Sequence, residues 1–124
     1  MGERATIRVK HPDNPTPIHF YTHWRGHEIE SVLAEGVCRA IKFGRLTDIS
    51  YATRIIFDTL TQCTNDGLSY GIEIGDNNRP GDVSYDSPCI EWQGYCNPIF
   101  YKMTVDGEFT NQEHLDVFLN RHTV

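Results

Sequence analysis

The segment His27-Glu28-Ile29-Glu30-Ser31-Val32-Leu33-Ala34-Glu35-Gly36-Val37-Cys38-Arg39-Ala40-Ile41-Lys42-Phe43 carries the strongest periodicity in the chain. Ile29, Val32, Leu33, Val37, Ala40 and Ile41 recur at three- and four-residue spacing, with Glu28, Glu30 and Glu35 toward the other side and Gly44 where a helix commonly stops. An amphipathic helix from about His27 to Phe43 is therefore expected. Downstream, Asp48 offers an N-cap, and Ala52, Ile55, Ile56, Leu60 and Cys63 form a second apolar stripe ending near Asn65-Asp66-Gly67. Cys38 and Cys63 fall on these apolar faces, where a buried small hydrophobe is the usual role.

On the N-terminal side, Ala5 to Val9 alternates as a short strand, Pro12, Asn14, Pro15 and Pro17 force a loop, and Ile18 to Trp24 suits a second strand. On the C-terminal side the period changes to two. Leu68, Tyr70, Ile72 and Ile74 share one face of a half-buried strand. Val83–Tyr85, Cys89–Gln93 and Ile99–Val105 read as further strands, separated by Pro88 and by Gly94 to Pro98, with a tight turn at Asp106-Gly107. Thr110-Asn111-Gln112-Glu113 has the form of a capping box before a closing helix whose apolar face is Leu115, Phe118 and Leu119. The sum is an α+β fold, a mostly antiparallel sheet with two or three helices packed on one face, in a single domain over residues 1–124.

Composition bounds the function. The chain has 39% hydrophobic and 23% charged residues, near the globular average, and no apolar run approaches the ~20 residues that span a bilayer. The opening residues carry charges and prolines where a signal peptide needs an apolar stretch, so neither membrane insertion nor export is expected. A formal net charge of −6 disfavours binding to long nucleic acid. The charge is uneven: Lys and Arg slightly outnumber Asp and Glu in the first half, and the second half is strongly acidic, which places any anion site in the first half. Cys38, Cys63, Cys89 and Cys96 lack a C-x-x-C spacing and read as thiols, not as a zinc or disulfide set.

The densest cluster of chemistry-bearing residues is His19 to His27, with three histidines spaced four apart. A strand separates residues four apart by ~13 Å, so His19 and His23 cannot share an ion with bonds of ~2 Å, and no metal is expected. A second reading makes the same stretch an anion-binding corner. A strand ending in His23-Trp24-Arg25-Gly26 and running into a helix gathers backbone N–H groups, a positive dipole end and Arg25. Tyr21 and Trp24 offer stacking faces, and Gly26 permits close approach. Core packing by the aromatics is the competing explanation. Arg45, Tyr51 and Arg54, near the start of the second helix, are candidate further contacts, with a solvated helix face as the alternative.

Paired H-x-[ST] motifs, the zinc-deaminase signature, the phosphate-binding glycine loops and the nucleophile elbow are all missing from the sequence. Cysteine–histidine catalysis stays open, since its partners need only be close in space. This pattern favours binding over catalysis, with no cofactor. Asp76, Asp82, Asp86 and Glu91 cluster around turns with a spacing unlike an EF-hand loop, and turn-forming Asp explains them.

Tyr21-x-His23-Trp24-x-Gly26, Asp48-x-x-Tyr51-Ala52-Thr53-Arg54 and Tyr70-Gly71-Ile72 together resemble a group of small, mostly uncharacterised proteins carried by bacteriophages and some bacteria. The resemblance runs over roughly residues 18–105 and is least in Gly75 to Asp82 and after Pro88. It implies a phage accessory protein acting in the host bacterial cytoplasm, where small phage proteins often block defence. The leading expectation is a non-enzymatic protein that binds and sequesters a small nucleotide immune signal, a cyclic nucleotide or ADP-ribose derivative, through Tyr21, His23, Trp24, Arg25, Gly26, Arg45, Tyr51 and Arg54. The alternative is an acidic inhibitor that covers a host defence protein, and a weaker one is a nucleotide hydrolase. A homo-oligomer is expected, because a chain this short has little surface with which to enclose a ligand alone.

Overall fold

Alternation along the first strand sets the two layers of the molecule. In the computed structural model, which describes residues 3–62, 69–75 and 83–122, β1 (Ala5–Lys10) turns Ala5, Ile7 and Val9 into the main core and places Thr6, Arg8 and Lys10 on the opposite face. It pairs antiparallel with β2 (Ile18–Thr22), which pairs antiparallel with β3 (Tyr70–Ile74). On its other side β1 runs parallel to β4 (Ser87–Glu91), and β4 pairs antiparallel with β5 (Ile99–Met103), giving the order β3-β2-β1-β4-β5. The expected α+β class, with a mostly antiparallel sheet, is what the described residues form.

The helices follow the two apolar stripes. A 3-10 turn over Gly26–Glu28 leads into α1 (Ile29–Lys42), and α2 (Ile49–Thr61) returns beside it. Their closest approach is at Gly36: a Cβ there would stand 3.0 Å from Ile56 Cα, so a hydrogen at this position sets the interhelical distance. α1 lies over β1 and β4. The short α3 (Leu115–Asn120) covers β5 on the same face, with Phe118 stacked on Phe100 at 4.1 Å between ring centroids. Glu30 of α1 ties these parts together by accepting from Lys102 at 2.9 Å, Arg121 at 2.7 Å and His122 at 2.9 Å.

Several local expectations are corrected. Thr110 to Glu113 is not a capping box. Thr110 Oγ1 accepts the Lys102 N–H and the Glu113 backbone exchanges two hydrogen bonds with Phe100, so this segment pairs with β5 and the helix starts only at Leu115. Val83–Tyr85 is not a strand, and β4 begins earlier than expected and includes Pro88. That proline sits one residue before the first registered pair with β1, Arg8 opposite Cys89, where its missing N–H costs no bond in that ladder. Ile72 and Ile74, expected on a buried face, are 54% and 67% exposed, because β3 is the outermost strand of the sheet; Leu68 lies outside the described residues. Cys38 is exposed, not buried; Cys38, Cys89 and Cys96 are free thiols, and Cys63 is not among the described residues. No described helix is long and apolar enough to cross a membrane.

Candidate functional site

At the corner expected to bind an anion, the backbone donors are already engaged. His23 N–H donates to Ser69 O at 3.0 Å, and Trp24 and Arg25 N–H both reach Thr22 Oγ1. Gly26 N–H donates to Glu3 O at 2.9 Å and His27 N–H to Glu3 Oε1 at 3.2 Å, while His27 Nδ1 also meets that carboxylate. These contacts, the His27 side chain foremost, hold the Glu3 carboxyl below its ordinary value. The anion at the corner is thus the chain's own Glu3. Gly26 does permit a close approach, but of internal groups: a Cβ there would lie 2.5 Å from the Tyr85 ring and 2.6 Å from Glu3 O.

Arg25 is likewise absorbed by the fold. Its Nε donates to Glu28 Oε1 at 2.5 Å and its Nη1 to Leu60 O at 2.7 Å, so it serves the carbonyl end of α2. Tyr21 and His23 do meet, Tyr21 Oη lying 3.0 Å from His23 Nδ1, with Arg4 Nε donating to the same nitrogen at 3.3 Å. Trp24 packs edge-on against His23 and is 53% exposed. The remaining expected residues are elsewhere. Arg45 bonds to Asp48 and lies over Tyr51 at the start of α2, Arg54 pairs with Asp58 one turn on, and Arg25 reaches the opposite end of that helix, roughly 15 Å from its start and about 9 Å along the axis from Arg54 at 1.5 Å per residue. The structure therefore brings the side chains of Tyr21, His23 and Trp24 together, turns Arg25 and Gly26 toward internal partners, and does not join Arg45, Tyr51 or Arg54 to them. His19 is buried with Nε2 at 3.2 Å from Gly75 O, and no group of three or more potential metal ligands occurs among the described residues. Of the acidic turn residues, Asp86 is exposed and accepts the Val105 N–H; Asp76 and Asp82 lie outside the described residues.

A different site emerges on the sheet face away from the helices. The strand registers align Glu73, His19, Arg8, Cys89 and Tyr101 as one row across all five strands. Lys10 and Glu91 stand in the adjacent row. Past β5 the chain turns through Asp106 and Gly107 and comes back along the strand, pairing Phe109 with Met103, so the Phe109 ring stands over this face. Arg8, Lys10, Glu91, Tyr101, Phe109, Thr110 and Gln112 enclose a cleft of about 280 Å³.

Arg8 is the unusual member. It is only 6% exposed, and among the described residues no carboxylate forms an ion pair with it. Its Nη1 donates to Tyr101 Oη at 2.8 Å, its guanidinium lies 5.0 Å from the Phe109 centroid, and its buried Nε has no hydrogen-bond partner among the described residues. The nearest ionisable neighbours do not supply the missing charge. Burial pushes the Cys89 thiol up to about 12 despite the opposing pull of Arg8, and burial together with the bond to Glu91 raises the Tyr101 phenol well above its ordinary range. Both are neutral at pH 7, and neither is poised as a nucleophile. Glu91 is reached only through Tyr101, whose hydroxyl donates to Glu91 Oε1 at 2.6 Å. Among the described residues Arg8 touches neutral groups and has the Glu91 carboxylate only one hydroxyl away, and a buried cation so placed is costly unless a further anion joins it. That imbalance beside a cleft makes this the candidate site for a small anion.

The fold and cleft define a small α+β protein with helices on one sheet face and a cation-floored cleft on the other. Compared with known protein families, curated proteins and solved structures, the chain matches none.

Two other clefts, beside His11 and Asp48 and between α1 and α3, are of similar size at about 340 and 320 Å³, but neither is lined by a buried cation. Sequence reasoning missed Arg8, Lys10, Glu91, Tyr101 and Phe109 as a site because Arg8 and Tyr101 are 93 positions apart and meet only through strand register.

Proposed function

We propose that this protein is a non-enzymatic module that captures a small phosphorylated molecule of the nucleotide class in the Arg8 cleft. The observation that carries the reading is the buried Arg8 guanidinium, which lines the cleft and, among the described residues, forms no ion pair with a carboxylate. A phosphate entering the cleft supplies the counter-charge, Lys10 adds a second cation at the rim, and Phe109 provides an aromatic face. Relative to the expectation from sequence, the ligand class is kept and the site moves from the Glu3-filled corner to the open sheet face. In the setting implied by the resemblance to phage proteins, such capture withdraws a nucleotide immune signal from the host. A cleft of this volume sits at the small end of ligand sites, so a larger signal would be enclosed between copies of the chain in a homo-oligomer.

A ligand bound only by the folded state must raise the melting temperature. Thermal shifts with inorganic phosphate, mononucleotides, cyclic dinucleotides and ADP-ribose derivatives should be positive for at least one phosphorylated compound, and Lys10→Ala should reduce them. Denaturing the complex should release the compound intact. No shift across the set defeats the reading, and recovery of a hydrolysed product replaces capture with catalysis.

A further inference from the structure

Resting on that reading, we infer that the nucleotide captured in the cleft is a guanine nucleotide, with the Glu91 carboxylate receiving the two adjacent N–H donors of the base. Glu91 lines the same cleft as Arg8, and its side chain is 17% exposed. One oxygen, Oε1, accepts from Tyr101 at 2.6 Å. The other, Oε2, stands 4.0 Å from Lys10 Nζ, beyond hydrogen-bond length. An ionised carboxylate has about four acceptor sites, so this half-buried group retains capacity directed at donors alone. A ligand that satisfies the whole cleft must combine an anion for Arg8, a flat ring for Phe109 and paired donors for Glu91.

Among the common bases that combination is guanine. Its N1–H and N2 amino group lie side by side and match the two oxygens of a carboxylate. Adenine and cytosine place one amino group beside a ring nitrogen acceptor, whose lone pair would face the carboxylate. Uracil and thymine present one N–H flanked by carbonyls. Exclusion therefore comes from repulsion as well as from a lost bond. A bidentate pair of this kind discriminates between bases by about 1–3 kcal/mol, roughly 5- to 150-fold in affinity. The tethered Tyr101 hydroxyl holds Glu91 in place before the base arrives, which favours selectivity.

Isothermal titration of the full chain with GMP, inosine monophosphate, AMP and inorganic phosphate tests this. GMP should bind tightest, inosine monophosphate, which lacks the N2 amino group, less tightly, and AMP roughly 5- to 150-fold more weakly than GMP. Glu91→Gln, checked for folding by circular dichroism, should bring GMP down to the level of AMP; the comparison among ligands on the unaltered chain stands without that variant. Equal affinity for GMP and AMP, with phosphate still bound, overturns the guanine assignment and leaves anion capture in place. If neither phosphate nor any of the nucleotides binds, both the assignment and the proposed function fall.

Discussion

Replacing Arg8 with methionine should make the protein more stable and unable to bind its ligand. Arg8 is 6% exposed on the central strand, and among the described residues it donates from Nη1 to the neutral Tyr101 hydroxyl and lies against the neutral Cys89 thiol. Methionine removes that hydrogen bond, worth about 1 kcal/mol, and the guanidinium–Phe109 contact, worth roughly 0.5–1 kcal/mol. It also removes a buried charge whose desolvation costs several kcal/mol. Tyr101 is not orphaned, because its hydroxyl still donates to Glu91. The balance is a net stabilisation of about 1–3 kcal/mol, in line with other exchanges of buried ions for apolar side chains. For 124 residues the unfolding entropy is roughly 0.26 kcal/mol/K, so the melting temperature should rise by about 4–12 °C. Thermal melts followed by circular dichroism measure this directly, and the same sample should show no phosphate-induced shift. A variant destabilised by 2 kcal/mol or more would mean that Arg8 is retained for the fold, and the functional reasoning would fail.

Other outcomes follow from the same contacts. Phe109→Ala should leave the melting temperature within about 2 °C, since the ring is 57% exposed, while weakening nucleotide binding; calorimetry on one sample reads both. Gly26→Ala should destabilise by about 1–3 kcal/mol in urea unfolding, because the new methyl meets Glu3 O and the Tyr85 ring; an unchanged midpoint would contradict the packing described at this corner. Burial alone would raise the Glu30 carboxyl, but its contacts with Lys102, Arg121 and His122 leave it below the ordinary value of 4.5. A group depressed by folding contributes stability above its unfolded pKa that is lost as pH falls through the folded one. Unfolding measured from pH 7 to pH 3 should therefore show the stability gap between the native chain and Glu30→Gln narrowing below about pH 4.5.

What was legible in the sequence was local. The stripe from Ile29 to Ile41 and the alternation in Ala5 to Val9 gave the helices and the layer they cover, because both periods are properties of short segments. Thr110 to Glu113 misled because a capping-box pattern competes with strand pairing, and the neighbouring β5 took the backbone donors. His23, Trp24, Arg25 and Gly26 do lie between a strand and a helix, although β2 ends at Thr22 rather than Trp24 and a 3-10 turn precedes α1, and nothing in that stretch reveals that Glu3, more than twenty residues earlier, fills the corner. The Arg8 cleft was the least visible feature. In an alternating strand Arg8 reads as a solvent-facing residue, and only the parallel β1–β4 pairing, followed by the return of Phe109 along β5, buries it.

The most direct measurement is an amide NMR titration of the uniformly 15N-labelled chain with GMP. Shifts that saturate and concentrate at Arg8, Lys10, Glu91, Tyr101 and Phe109 are predicted, with His23 to His27 unaffected. Saturable shifts confined to His23–His27, or none with either GMP or inorganic phosphate, would contradict a ligand site on the open face of the sheet.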